Sequence, residues 1–398
     1  MNQINRLDIA SLRADTPGTA HRIHLNNAGA SLMPAPVIAA IKDHLDLEAM
    51  HGGYEAADMS ADAVSAVYTS VARLINAGGD EIALTENATV AWQMAFYAQK
   101  FQPGDRILTA RTEYAANYVA FLQMARRTGV TIEVVPDDET GALDPEALAA
   151  MMDERVKLIA ITWIPTNGGL INPAAAVGEI ARRHGVTYLL DACQAVGQLP
   201  IDVEEIGCDL LAATGRKFLR GPRGTGFLYV RRALLDTLEP AMIDHFSAPW
   251  IEADRYALRP DARRFETWEK NYAARLGLGA AVDYALGLGL DAIKTRCLDL
   301  TNGLREELKR VPRLTLHDLG RQRAAIVSLS IDGLASEAIR SELTRQAINV
   351  SVSKPSSTLL DASARNLPTV LRVSPHYYNS EDEIDLFVDA LNDIVARG

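Results

Sequence analysis

The chain has 398 residues, more than one compact core usually holds, so a large and a smaller domain are expected. Hydrophobic residues make up 48% and charged residues 23%, and the net charge of −11 argues against nucleic acid and anionic membrane as partners, while leaving room for a local basic pocket over Arg216–Arg223. No apolar run approaches ~18 residues, and Met1–Arg6 has no signal-peptide profile, so a cytoplasmic location is expected.

In chain order, His24–Gly29 is a glycine-containing loop, followed by a strand over Glu81–Thr85 and a helix over Ala88–Lys100. Arg106–Thr109 and Thr131–Val135 read as strands with a helix between them. Val156–Trp163 is a buried strand, Pro173–His184 a helix, and Val186–Leu190 and Gly226–Val230 further strands. Such alternation predicts a mostly parallel sheet with helices on both faces. Ligands of these sheets bind at the carboxyl ends of the strands, where Thr85, Thr109, Asp191 and Thr214 fall.

Beyond residue 268 the pattern changes. A long Ala/Gly/Leu-rich helix over Tyr272–Leu290 leads into an amphipathic helix through Lys309, and strands over Ala325–Ile331 and Val370–Val373 flank more helix, as in a smaller α+β domain. The last helix opens on the capping box Ser380–Glu383 and lines Ile384, Phe387, Val388, Leu391 and Ile394 along one face. Cys193, Cys208 and Cys297 show neither disulfide nor metal-ligand spacing, and the eight histidines include no His-x-x-x-His pair, so no metal site is expected.

Two segments carry chemistry. Tyr188–Gln194 delivers a carboxylate, Asp191, at the end of an apolar run, and Leu210–Lys217 delivers a lysine beside a hydroxyl and a guanidinium. That set suits an aldehyde cofactor bearing a phosphate and a ring nitrogen: Lys217 forms the Schiff base, Asp191 keeps the nitrogen protonated, and Thr214 with Arg216 meets the phosphate.

Asp191-x-x-Gln194, Thr214-x-Arg216-Lys217 and Gly221–Gly226, in that order, resemble the class V aminotransferase family of pyridoxal-phosphate (PLP) enzymes, with the likeness running from about Leu25 to the C-terminus. That family includes cysteine desulfurases, cysteine/cystine C–S lyases, kynureninases, isopenicillin N epimerases and alanine–glyoxylate aminotransferases. The resemblance implies an α/β protein of fold type I. Residues 21–268 would form the large PLP-binding domain, and 1–20 with 269–398 the small α+β domain.

It also implies roles. Asn87, Ala88 and Thr89, at a helix start, would receive the phosphate on their amides and the Thr89 hydroxyl. Tyr114 stands where the family has a histidine stacked on the ring; a phenol, which ionises near ~10, is a poorer proton shuttle than imidazole. Asn167 and Gln194 would meet the ring's phenolic oxygen. Thr267 would reach the phosphate of a neighbouring subunit, implying a homodimer with Gly224 and Thr225 near the interface. Arg372 would anchor the substrate carboxylate, with Asn27 and Ala28 close to the substrate.

Desulfurases of the family carry a loop cysteine shortly before the arginine strand. Here Ile348–Asp361 holds none. With the Asn87–Thr89 segment, this favours β-elimination of the C–S lyase type on a cysteine-like amino acid bound as its external aldimine. Aminotransferase or epimerase chemistry stays open as an alternative, and so does a non-catalytic PLP-binding protein.

Overall fold

The computed structural model describes residues 7–397. The expected reading of Met1–Arg6 lies outside them. The largest sheet has seven strands: β1 (Ile82–Thr85), β2 (Arg106–Thr109), β3 (Thr131–Val134), β4 (Val156–Thr162), β5 (Thr187–Asp191), β6 (Leu210–Thr214) and β7 (Gly226–Val230). Their spatial order is β1-β7-β6-β5-β4-β2-β3, all parallel except β7, which runs antiparallel to both neighbours.

Strand alternation sorts side chains between two cores. Tyr188, Leu190, Leu211 and Ala213 join one cluster, while Leu189, Leu210 and Ala212 join the other. Both faces are therefore buried under helices, as a near-continuous apolar strand requires. Helix α1 (Ala35–His51) and α2 (Ala61–Ile75), unmarked in the sequence reading, pack against α3 (Tyr272–Leu288) on one face.

The long helix expected to run to Leu290 ends two residues sooner. Gly289, at φ +88°, breaks it, and α4 (Leu290–Leu308) continues at an angle of 81°. Among the described residues no single helix is long and apolar enough to cross a membrane.

A four-stranded antiparallel sheet holds the C-terminal part: β8 (Leu314–Leu316), β9 (Val327–Ile331), β10 (Ser351–Ser353) and β11 (Val370–Val373), in the order β8-β9-β11-β10. β9 starts two residues later than expected. The Ala324 N–H donates to Gly169 O at 2.6 Å and the Ala325 N–H to Gln198 Oε1 at 2.9 Å, so both amides are spent on the large sheet's loops. The final helix, α5 (Glu381–Arg397), opens on the foreseen capping box, with Glu383 N–H to Ser380 Oγ at 3.2 Å and Ser380 N–H to Glu383 Oε2 at 3.3 Å.

Near the N-terminus Ile23–His24 pairs in parallel with Ile348–Asn349. This brings the Asn26–Gly29 loop against Ser374 and thus beside the Arg372 strand.

Candidate active site

A cavity of about 450 Å³ opens at the carboxyl ends of β1, β4, β5 and β6. Asn87, Ala88, Thr89, Tyr114, Asp191, Gln194, Thr214, Arg216 and Lys217, nine residues singled out from the sequence, line it together. Thr162, Ile164, Thr166, Asn117 and Cys193 complete most of the wall.

One end is a helix start. Helix Ala88–Tyr97 is capped by Asn87, whose Oδ1 accepts the Val90 N–H at 3.0 Å. That bond satisfies one early amide and leaves the Ala88 and Thr89 N–H groups without an acceptor among the described residues. They point along a helix axis whose dipole favours an anion. Close packing fixes this end: a Cβ on Gly226, at the start of β7, would lie 2.8 Å from Asn87 C and 3.0 Å from Ala88 N.

On another wall Asp191, the last residue of β5, is held from both sides. Its Oδ1 accepts the Cys193 N–H at 3.0 Å and its Oδ2 the Asn117 side-chain amide at 2.9 Å. Free lone pairs remain on both oxygens for a protonated ring nitrogen.

Lys217 follows β6. Burial lowers its amine pKa; Cys193 and Asp191 oppose that shift, and Arg216 and Arg372 add to it. Thr214 Oγ1 donates to Thr225 O at 3.2 Å, and an Arg216 Nη1–H contacts the Gly29 carbonyl. Arg216 therefore reaches the cavity wall already braced by the N-terminal loop.

Arg372 is buried, and desolvation pulls its guanidinium down to about 10, still charged at neutral pH. Its Nη1 donates to Thr166 Oγ1 at 2.5 Å, while its Nε has no partner. Thr166 is thus a site residue that sequence reasoning passed over. Only its place beside Asn167 in Pro165–Gly169 could have signalled it.

Asn167 is not among the residues lining the cavity. Its Nδ2 donates to Thr358 Oγ1 at 2.9 Å, leaving Oδ1 buried and unpaired. Gln194 Nε2 donates to Ala28 O at 3.2 Å, and its Oε1 is likewise unpaired. Asn27 is fully buried: its Nδ2 donates to Ser374 O at 2.8 Å and its Oδ1 accepts the Tyr378 hydroxyl at 2.6 Å. Ala28 is also buried, its N–H donating to Ser374 Oγ at 2.9 Å. Thr267 is exposed and outside the cavity of its own chain. Tyr114 is 39% exposed at the cavity mouth.

Glu113, which precedes Tyr114 and was not singled out from the sequence, is buried and pushed up to about 7, by burial first and by Asp191 in addition.

A phosphate-ready helix end, a desolvated lysine and a buried carboxylate with free lone pairs, gathered in one cavity, fit pyridoxal phosphate, and the fold is that of the fold type I PLP-dependent enzymes. The protein belongs to the aminotransferase class-V family, whose model matches residues 23–387, and it is a PLP-dependent enzyme. It is 30% identical over 93% of its length, and 90% of the relative's, to a probable cysteine desulfurase of Synechocystis sp.. A cysteine desulfurase of Serratia proteamaculans is 31% identical, with 97% of this chain and 98% of that one covered.

Among solved structures, the apo cysteine desulfurase of Thermococcus onnurineus NA1 superposes with a TM-score of 0.90 at 26% identity, covering both chains fully. The cystine C–S lyase C-DES, in complex with its product cysteine persulfide, gives 0.86 at 23% identity over 95% of this chain and 99% of its own, a likeness of fold.

Proposed function

We propose that this enzyme cleaves the Cβ–S bond of a cysteine-like amino acid or cysteine conjugate by β-elimination, without an enzyme thiolate as sulfur acceptor. With one water consumed, the products are pyruvate, ammonia and a thiol, or a sulfenate where the substrate sulfur is already a sulfoxide. Bound pyridoxal phosphate supplies an electron sink for the substrate's α-carbon.

The residues divide the work. Lys217 carries the cofactor at rest and then takes the α-proton, for which a desolvated amine with a lowered pKa is suited. Asp191 keeps the ring nitrogen protonated. Ala88, Thr89, Thr214 and Arg216 hold the phosphate, with Asn87 capping the helix that presents the first two. Tyr114 covers the ring, and Gln194 serves its phenolic oxygen; Asn167, turned to Thr358 outside the cavity wall, supports the loop that carries Thr166. Arg372, steadied by Thr166, takes the substrate carboxylate, beside the Asn27–Ala28 loop. Thr267 acts on the phosphate of a second copy in a homodimer. We assign the large unit to 21–268 and the small unit to 1–20 with 269–398; the seven-stranded sheet within the first and the four-stranded sheet within the second support that division.

The observation that carries the elimination reading is the state of the thiols. Cys208 and Cys297 are buried away from the cavity, and burial pushes the Cys297 thiol up to about 12 and that of Cys208 up further. Cys193 does line the cavity, but burial and then Asp191 push its thiol up strongly as well. A thiol held protonated is a poor nucleophile. The Ser351–Thr358 segment, beside the Arg372 strand, offers only hydroxyls and Lys354.

The test is a panel of cysteine, cystine and S-substituted cysteines given to the wild type and to a variant with all three cysteines changed to serine. Pyruvate release equal to thiol release, at similar rates in both proteins, is expected. Activity lost with the cysteines would overturn the reading. So would a keto acid formed only with an added amino acceptor, α-deuterium uptake without pyruvate, or no turnover with cofactor bound.

A further inference from the structure

Behind the cavity wall a second carboxylate shares a donor with Asp191. The Asn117 Nδ2 lies 2.9 Å from Glu113 Oε1 and 2.9 Å from Asp191 Oδ2, so each carboxylate takes one hydrogen of the same amide. Asn117 and Asp191 line the cavity, whereas Glu113 is not part of its wall.

The rest of the Glu113 shell consists of donors. Its Oε1 accepts the Tyr114 N–H at 2.8 Å and the Thr162 hydroxyl; its Oε2 accepts the Thr162 N–H at 2.9 Å and the Thr109 hydroxyl at 3.2 Å. No Lys or Arg stands within ion-pair distance among the described residues. Burying a carboxylate without a counter-ion is costly, and an uncharged group would fill the space at less expense. The titratable groups facing the pair are Tyr114 at the cavity mouth and, around Asp191, Lys217 and Cys193; Arg216 and Arg372 are the fixed cations beyond.

We propose that Glu113 is a positioning residue: through Asn117 it orients Asp191 and adds a second negative charge behind it, setting the pH range over which the cofactor's ring nitrogen keeps its proton. This rests on the reading of Asp191 as the ring-nitrogen partner. An ionised Glu113 favours the protonated ring; once Glu113 takes a proton, that support is lost. Burial, helped by Asp191, holds Glu113 near 7, so the change falls in the neutral range.

The test is the ring ¹⁵N chemical shift of the holoenzyme loaded with ¹⁵N-labelled pyridoxal phosphate, followed against pH. In the wild type the nitrogen stays in the protonated range with a small step near neutrality. Glu113→Gln loses the step, and its nitrogen gives up the proton about one pH unit or more earlier, the size expected of one nearby buried charge.

A Glu113→Gln profile superposing on the wild type, while Asp191→Ala departs from it, overturns the inference alone. If Asp191→Ala superposes too, the underlying reading of Asp191 falls. The amide introduced at 113 would face the Thr162 N–H, so a second variant guards against misfolding. Thr162→Val keeps Glu113 but removes its hydroxyl donor and should move the small step to higher pH; an unmoved step overturns the inference as well.

Discussion

His376 Nε2 lies 2.7 Å from the carbonyl oxygen of Phe218, the residue that follows Lys217. Burial, then Arg220, holds the imidazole well below its usual pKa, so it is neutral and Nε2–H donates to that carbonyl while Nδ1 accepts the Tyr377 N–H at 2.9 Å. His376 lies four positions after Arg372, so the loop carrying Lys217 is tied directly to the segment carrying Arg372.

Arg220 reinforces the same joint. It is 1% exposed, adopts a left-handed backbone (φ +62°), and pairs with no carboxylate among the described residues. Instead it donates to Tyr377 Oη at 2.8 Å, Thr16 Oγ1 at 2.6 Å and Leu32 O at 2.9 Å, with its guanidinium 4.4 Å from the Tyr378 ring centroid. Arg220→Ala strands these partners and opens a cavity, costing about 3–5 kcal/mol of stability. Urea denaturation of holoenzyme checks this; a cost below about 1 kcal/mol would show that the joint holds without it.

Thr166 braces Arg372, the proposed carboxylate anchor. Its hydroxyl accepts from Arg372 Nη1, a bond to a charged group. Thr166→Val should raise the dissociation constant for an amino-acid ligand about tenfold with cofactor affinity unchanged, and Arg372→Ala should raise it further. Spectral titration of each holoenzyme with a slowly reacting amino acid measures both effects.

Gly226 fixes the position of the Asn87–Ala88 helix start, the proposed phosphate end of the site. A methyl group there meets Ala213 O at 2.6 Å as well as the Asn87–Ala88 backbone, none of which is a movable side-chain tip. Gly226→Ala should shift the helix start and weaken cofactor binding by tenfold or more, the loss of about one charge-assisted hydrogen bond. Equilibrium dialysis of the cofactor gives the number.

Lys217 carries a pH signature into the cofactor-free protein. Desolvation puts its folded pKa below the ordinary 10.5, so between those values the unfolded chain holds more protons than the folded one. Stability therefore rises with pH across that window. Lys270, lowered to about 8 by burial, acts with the same sign. Lys217→Met should flatten, without abolishing, the rise of the denaturation midpoint between pH 7 and 10.

On the proposed homodimer, the exposed Thr267 makes its strongest prediction in mixed dimers. Lys217→Ala and Thr267→Ala homodimers should each be impaired, the first completely. Mixing the two should restore up to half of the wild-type activity per heterodimer, because one site then has both residues intact. Absence of recovery, with heterodimers verified by mass, would remove Thr267 from the shared site.

The local order of the chain was legible because its signals are local. Apolar runs ending in Asp191 and Thr214 are buried strands whatever surrounds them, and Ser380–Glu383 caps its own helix. Lys217, Asp191 and the Asn87–Thr89 helix start could be assigned to one cavity because parallel strands all deliver their carboxyl ends to the same edge. Other features were settled only in three dimensions. Thr166, rather than Asn167, faces the cavity because Asn167 turns to Thr358, 191 residues further on. The shared amide of Asn117, the Phe218–His376 tie and the Ala325–Gln198 bond at the shortened start of β9 each join segments far apart in the chain. Hydrogen-bond partners at such separations leave no periodic trace in sequence, since each is chosen by how the packed sheets and loops come together.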